Sequence, residues 1–72
     1  MIIGIPKEIK DNEKRVSLTP YGVEELVSLG HTVYIQKNAG LGSGFSDSEY
    51  IKYGGNISDS LEHVYSVADL IV

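Results

Sequence analysis

Short apolar runs alternate with amphipathic segments along the chain, and this alternation predicts its secondary structure. Residues 1–6 read Met-Ile-Ile-Gly-Ile-Pro, which is typical of a strand buried on both faces and closed by Pro6. Residues 31–35 are rich in β-branched and aromatic side chains and predict a second strand. Residues 56–58 predict a brief third strand, and residues 69–72 predict the beginning of a fourth.

Three helices are predicted between these strands from their capping signatures. Thr19 suits an N-cap, because Pro20 after it is favoured at the first helical position. Ser46 and Glu49 have the spacing of a capping box, and Phe45 and Tyr50 have that of a hydrophobic staple. Asp59 is predicted to cap the third helix. The third helix has one apolar face, which is formed by Leu61, Val64, Tyr65 and Ala68. The first two helices are predicted to end at glycines, namely Gly30 and the Gly54–Gly55 pair.

The resulting order, βαβαβαβ, predicts an α/β fold. Alternating strands and helices favour a parallel, doubly wound sheet of the Rossmann or flavodoxin-like kind, and we expect the first strand near its centre. The last strand reaches Val72 without a polar terminator or a turn signal. Residues 1–72 are therefore expected to be the truncated N-terminal part of a larger domain.

Charge and composition narrow the possible functions. The net charge is −4, and the short basic run of Lys7, Lys10, Lys14 and Arg15 is interpreted as a solvated loop, so no nucleic-acid partner is expected. The lack of cysteine excludes disulfides, thiolate metal sites and a cysteine nucleophile. No apolar stretch approaches the ~18–20 residues of a membrane span, and the N-terminus lacks signal-peptide anatomy. We therefore expect no membrane partner and a cytoplasmic location.

Two features that suggest chemistry have simpler interpretations. Residues 40–44 read Gly-Leu-Gly-Ser-Gly, but a dinucleotide-binding loop needs GxGxxG directly between a strand and a helix. Here the third glycine comes one residue early, so a flexible connection is favoured. His31 and His63 are the only imidazoles, and neither has a second ligand at metal-binding spacing. We predict no metal site and no catalytic base among them.

Arg15 is the strongest candidate for a functional side chain. It lies in the polar segment that follows the first strand, and open parallel sheets bind ligands beyond the carboxyl ends of their strands. A guanidinium group there could clamp a carboxylate through two parallel hydrogen bonds. Position alone leaves two interpretations open, a substrate contact and a surface ion pair.

Several motifs along the whole chain resemble those of one enzyme family. They are the runs at residues 1–10, 12–20, 29–33, 38–47 and 68–72, together with Gly22-Val23 and Leu26. In this order and at this spacing they resemble the alanine dehydrogenase and nicotinamide nucleotide transhydrogenase family. The run Gly-Ser-Gly-Phe-Ser-Asp at residues 42–47 is more similar to the alanine dehydrogenase branch.

The resemblance implies a function for the parent protein. Alanine dehydrogenases interconvert L-alanine with pyruvate and ammonia, use NAD as the hydride carrier and are typically hexameric. The resemblance assigns Arg15 to the substrate carboxylate. It places the catalytic lysine, histidine and acidic residue, and the NAD-binding glycines, beyond Val72. Residues 1–72 are thus expected to contain the substrate-binding Arg15 but no catalytic, cofactor-binding or metal-binding residue, and to be inactive alone.

Two alternatives to an alanine dehydrogenase fragment remain at this point. The chain could be the N-terminal segment of the transhydrogenase α subunit, in which case a membrane segment would follow downstream. It could also be a stand-alone α/β module that kept the fold without the chemistry.

Overall fold

The computed structural model describes residues 1–7 and 18–72, and within them four strands alternate with three α-helices. The strands, β1 to β4 in chain order, are Ile2–Ile5, Thr32–Gln36, Asn56–Ser58 and Leu70–Ile71. The α-helices, α1 to α3, are Pro20–Ser28, Asp47–Lys52 and Leu61–Val67. A 3₁₀ helix, Leu41–Ser43, lies between β2 and α2. In the described part of the chain, no helix has the length and apolar character needed to cross a lipid bilayer.

All the strands pair in parallel, in the order β3-β2-β1-β4. In β1, Ile3 lies opposite Val33 of β2 on one side and Leu70 of β4 on the other. At the start of β1, the N–H of Ile2 donates to Oδ2 of Asp69 at 2.8 Å, and the N–H of Asp69 donates to the carbonyl of Ile2 at 2.7 Å. The predicted parallel α/β fold, with β1 inside the sheet, is confirmed.

The two faces of the sheet carry different helices. Ile3 and Ile5 are buried on one face, in a core that includes Val23 of α1 and Tyr50 of α2. Successive side chains of a strand point to opposite faces, so Gly4 turns to the other face. A Cβ atom at Gly4 would lie 2.9 Å from side-chain atoms of α3 and of the residue that follows it. The sheet is therefore covered by α1 and α2 on one side and by α3 on the other.

The first two helices end in the same hydrogen-bonded motif, with a left-handed glycine. After α1, the N–H of Gly30 (φ 94°) donates to the carbonyl of Val27, and the N–H of His31 donates to that of Leu26. After α2, Gly54 (φ 99°) and the residue after it repeat this pattern. These are Schellman motifs, which satisfy carbonyls that a helix end otherwise leaves unpaired. The predicted ends at Gly30 and Gly54 are confirmed.

The predicted N-caps of α1 and α2 are confirmed. Oγ1 of Thr19 accepts a hydrogen bond from the N–H of Gly22 at 3.2 Å, and Pro20 occupies the first helical position. Ser46 and Glu49 form both hydrogen bonds of a capping box. The N-terminal boundary of each of these two helices is therefore set by a side chain that the sequence reveals locally.

The predicted cap of α3 at Asp59 is wrong by one residue. Ser60 is the N-cap, because its backbone is extended (φ −120°, ψ 129°) and its Oγ accepts from the N–H of His63 at 3.3 Å. Ser58, Asp59 and Ser60 are all good capping residues, so the sequence offers several adjacent candidates. Only the backbone conformation at Ser60 distinguishes among them.

Candidate functional site at the carboxyl edge of the sheet

The carboxyl ends of the four parallel strands lie along one edge of the sheet, which we call the carboxyl edge. Beyond β1, the N–H of Lys7 donates to Oε1 of Gln36, the last residue of β2, at 2.6 Å. Beyond β2, the N–H of Lys37 donates to the carbonyl of Ser58 at 2.7 Å. Lys7 and Lys37 are both exposed. This edge therefore carries two lysines whose backbone N–H groups are hydrogen-bonded. The positive charges of their side chains would favour an anionic ligand.

Arg15, the predicted substrate-binding residue, lies outside the described residues, within the segment 8–17. The residues on either side of that segment are described, and both lie at the carboxyl edge. Lys7 follows the end of β1, and Leu18 comes just before the N-terminus of α1. The carbonyl of Leu18 accepts a hydrogen bond from the hydroxyl of Tyr50 at 2.8 Å. One side-chain hydrogen bond thus holds each residue that borders the segment carrying Arg15.

Tyr50 makes its hydrogen bond from a fully buried position. Its ring lies edge-on to that of Phe45, with 6.4 Å between the ring centroids. Burial raises the pKa of the Tyr50 hydroxyl to about 12, and the negative charges of Glu49 and Asp47 add to the shift. The hydroxyl therefore stays protonated, and remains a donor to Leu18, throughout the physiological pH range.

The glycine-rich residues 40–44 do not fit the phosphates of a dinucleotide. A phosphate-binding loop presents free backbone N–H groups to its ligand. Here several of those groups already donate to backbone carbonyls of the same loop, namely the N–H groups of Leu41, Ser43, Gly44 and Phe45. A Cβ atom at Gly40 would lie 2.6 Å from the ring of Tyr50, so Gly40 serves close packing against that ring. The interpretation of this segment as a connection is supported by its geometry.

Ser58 and His63 form a hydrogen-bonded pair where β3 leads into α3. Oγ of Ser58 lies 2.8 Å from Nδ1 of His63, and the imidazole ring stands edge-on to Tyr34 at a centroid distance of 5.6 Å. Ser58 is only 6% exposed, so a substrate would not reach its hydroxyl. The pair joins the end of a strand to the first turn of a helix, and we interpret it as structural.

The two imidazoles lie far apart in the fold. His31 directly precedes β2, at the amino edge of the sheet, and among the described residues its buried Nδ1 finds no hydrogen-bond partner. His63 lies in the first turn of α3, next to the carboxyl edge. Within residues 1–7 and 18–72, no three His, Cys, Asp or Glu side chains gather closely enough to hold a metal ion.

Sequence reasoning missed the two side chains that hold the borders of the Arg15 segment. Gln36 lies just beyond the predicted second strand, residues 31–35, and its sequence context does not indicate a role. Tyr50 was recognisable as the partner of Phe45 around the cap of α2, which is a local packing role. Neither pattern reveals a hydrogen bond to a residue about thirty positions away in the chain.

Comparisons with known proteins give consistent results along the whole chain. A family profile described as the N-terminal domain of alanine dehydrogenase/PNT matches residues 4–72. An alanine dehydrogenase from Methanococcus maripaludis is 51% identical over 72 residues, which are all of this chain and 19% of that protein. One from Geobacillus stearothermophilus is 65% identical over 54 residues, which are 75% of this chain and 14% of that protein.

Solved structures with this fold come from both branches of the same family. The structure of an L-alanine dehydrogenase superposes with a TM-score of 0.96 at 43% identity, over 100% of this chain and 20% of that one. A transhydrogenase from Sinorhizobium meliloti superposes with a TM-score of 0.84 at 38% identity, over 99% of this chain and 21% of that one. This chain thus spans about a fifth of the length of the proteins it matches.

Proposed function

The chain belongs to the alanine dehydrogenase/PNT N-terminal domain family, and from this membership we propose that it opens the substrate domain of an NAD-dependent alanine dehydrogenase. The proposal rests chiefly on the 51% identity to an alanine dehydrogenase over all 72 residues. The full protein would interconvert L-alanine with pyruvate and ammonia. Residues 1–72 would form the first part of the substrate domain.

Arg15 would bind the substrate carboxylate in this enzyme. The described residues that border the segment carrying it, Lys7 and Leu18, lie at the carboxyl edge, which is where open parallel sheets place their ligands. A guanidinium fork can hold both carboxylate oxygens of a 2-oxo acid and so fix the angle of the neighbouring carbonyl group. The exposed Lys7 and Lys37 would add to the attraction of this edge for an anion.

The rest of the chemistry would come from outside this chain. NAD, when bound, supplies hydride transfer, and residues 40–44 do not fit its phosphates because the N–H groups of Leu41, Ser43 and Gly44 already donate to backbone carbonyls. The family resemblance would place the cofactor site, the proton-transfer residues and the active-site lysine beyond Val72. We further propose that the full protein is a cytoplasmic homo-oligomer, a hexamer, with no nucleic-acid or membrane partner.

Replacing Arg15 tests the proposed role directly. In the full-length enzyme, Arg15→Ala should lower kcat/KM for pyruvate by at least about tenfold, because a charge-assisted contact is lost. Arg15→Lys should recover only part of this loss, since an ammonium group is a point donor on a flexible stem. Steady-state kinetics of both variants, with folding checked by circular dichroism, would measure the effect.

The affinity for NADH serves as the internal control, because the cofactor would bind to another domain. It should barely change in either variant. Near-wild-type kcat/KM for pyruvate in Arg15→Ala would contradict the proposed role. It would favour the other interpretation of Arg15, a surface ion pair.

A second candidate is the N-terminal region of a transhydrogenase, and the 0.84 TM-score to one such structure supports it. Identity and superposition are both higher for the L-alanine dehydrogenase. The amino-acid sequence downstream of Val72 separates the two proposals, because a transhydrogenase would continue into a membrane segment. Pyruvate amination by the full-length protein would favour the dehydrogenase.

A further inference from the structure

Two tyrosine side chains lie against each other on the outer surface of α1 and α2. Tyr21 is in the first turn of α1, and Tyr53 is the C-cap residue of α2. Their ring centroids are 5.2 Å apart, and the ring planes are tilted by 59°. Tyr21 is 64% exposed, and Tyr53 is partly exposed. Small reagents in solution can therefore reach this pair, whereas the ring of Tyr50 is fully buried.

The backbone on both sides holds the two rings together. Pro20, whose side chain is fully buried, directly precedes Tyr21 at the start of α1. Gly54, which follows Tyr53, approaches α1 so closely that a Cβ atom there would lie 3.2 Å from the side chain of Val27. The ring pair is thus a consequence of how α1 and α2 pack on one face of the sheet.

The hydroxyl groups of the pair also interact. The hydroxyl of Tyr21 raises the pKa of Tyr53, chiefly by hydrogen bonding, and the charges of Glu24 and Glu49 add to the shift. Two phenoxyl radicals combine at the ring carbons next to their oxygens, so neighbouring hydroxyls bring the reactive carbons close together. Nearby negative charges also favour the loss of an electron from a phenol.

We propose that Tyr21 and Tyr53 form an oxidative modification site, at which a one-electron oxidant joins α1 to α2 through an intramolecular dityrosine link. Each phenol gives one electron to the oxidant and one proton to water, which leaves a phenoxyl radical. The two radicals form one carbon–carbon bond between the ring carbons next to their oxygens. The hydrogen on each of these carbons then moves to the oxygen as a proton, through water, and restores both phenols. The product has two hydrogen atoms fewer than the original chain.

The observed arrangement suits this product. Rings that are held in contact couple within one chain faster than rings that must meet by diffusion. The planes of a hydroxylated biaryl stay tilted, because coplanar rings would clash at their oxygens, so the tilt of 59° needs little change. The link would also close the part of the chain between α1 and α2 into a covalent loop, which restricts the unfolded chain as a disulfide does.

Photo-oxidation of the full-length protein tests the inference. A ruthenium tris-bipyridyl complex, with persulfate as the terminal electron acceptor, supplies the one-electron oxidant. The monomeric chain is then isolated under denaturing conditions, so that any link within it is intramolecular. Trypsin cleaves after Lys37 and Lys52 and so separates Tyr21 from Tyr53. We expect a pair of joined peptides, lighter by two hydrogen atoms, with Tyr21 linked to Tyr53 in the fragment spectrum.

Single substitutions identify the two partners. Tyr21→Phe and Tyr53→Phe each keep a ring but remove the hydroxyl that a phenoxyl radical needs. Each should lower the yield of the link to below about a tenth of the wild-type yield, because no other tyrosine is held against the remaining partner in the described part of the chain. Tyr65→Phe is the matched control, since Tyr65 is an exposed tyrosine of α3 on the other face of the sheet, and it should leave the yield unchanged.

The possible outcomes separate clearly. N-acetyltyrosine oxidised in the same mixture should form dimers, which shows that the oxidant is active. Absence of the Tyr21–Tyr53 link under those conditions overturns the inference. A link that persists in either phenylalanine variant, or that joins other tyrosines instead, overturns it as well. None of these results depends on the kinetics of Arg15 variants, so the proposed function is tested separately.

Discussion

At the scale of single residues, Tyr50 combines packing with a long-range hydrogen bond. Its ring fills the core beside Gly40, where a Cβ atom would lie 2.6 Å from the ring, and its hydroxyl reaches Leu18. A phenol that is buried and hydrogen-bonded resists ionisation, so its protonated form is favoured by folding. The stability of this domain should therefore depend on whether Tyr50 carries its proton.

This dependence gives a prediction for alkaline pH. Folding raises the pKa of Tyr50 from 10.0 to about 12, so the unfolded chain loses this proton first. The contribution of Tyr50 is fully present below pH 10 and should be lost as the pH rises towards 12, by up to about 2–3 kcal/mol. Urea unfolding of this chain at several pH values, followed by circular dichroism, would measure it.

Tyr50→Phe is the control for this measurement, because it removes the titrating group and leaves the ring. All other residues are the same in the two proteins, so the difference between the two curves isolates Tyr50. If the unfolding free energies of the two proteins change in parallel between pH 10 and 12, the prediction is wrong.

Sequence predicts local roles at this scale better than distant ones. The spacing of Phe45 and Tyr50 around Ser46 predicts that the two rings pack together, and they do. The partner of the Tyr50 hydroxyl is 32 residues away, and no local pattern connects it to Leu18. Arg15 was predicted from its position after a strand and from a resemblance, and its role stays a prediction.

At the scale of elements, helix boundaries follow from short-range chemistry. Thr19 and Ser46 cap their helices as predicted, because each acts on a backbone N–H three residues ahead. The cap of α3 was predicted one residue early, since Asp59 and Ser60 are equally suitable by type. The 3₁₀ helix was not predicted, because its glycines permit many backbone conformations.

The docking of α3 on the sheet depends on the absence of a side chain at Gly4. A Cβ atom there would lie 2.9 Å from atoms of Val64, Ala68 and Ile71, so Gly4→Ala should push α3 or β4 outward. We expect the free energy of unfolding to fall by about 1–3 kcal/mol, the usual cost of overpacking. The shift in the urea midpoint of this chain would measure it.

A compensating substitution tests the mechanism of this loss. Ala68→Gly removes one of the three close contacts, so it should restore part of the stability in the Gly4→Ala background while destabilising the wild type. Stability of Gly4→Ala within about 0.5 kcal/mol of wild type would mean that the sheet and α3 adjust without strain.

At the scale of the whole molecule, the alternation of strands and helices was enough to predict the fold. Parallel neighbours require crossover connections, and each of the first three strands is followed by a segment with a helical pattern. The extent of burial was less predictable. Leu61 and Tyr65 belong to the predicted apolar face of α3 but are 38% and 54% exposed, because the short helix buries only the stripe around Val64.

The proposal that the cofactor site lies outside residues 1–72 gives a last prediction. The 72-residue chain alone should not bind NADH at micromolar concentrations, because four of the five N–H groups of residues 41–45, in the loop that resembles a phosphate site, already donate to backbone carbonyls. Isothermal titration calorimetry with the purified chain would measure the binding. A saturable heat with a micromolar dissociation constant would contradict the prediction, and full-length enzyme titrated in parallel is the positive control.

The mutual hydrogen bonds of Ile2 and Asp69 also bear on how the protein is made. They join residues 67 positions apart, so β1 is synthesised first and its partner strand β4 much later. At about 5–20 residues per second, the interval is roughly 3–13 s. Throughout that time, one side of β1 has unpaired backbone groups that could join another strand. Until Asp69 has been translated and has left the exit tunnel, that side of β1 is therefore an open edge of the sheet in the nascent chain.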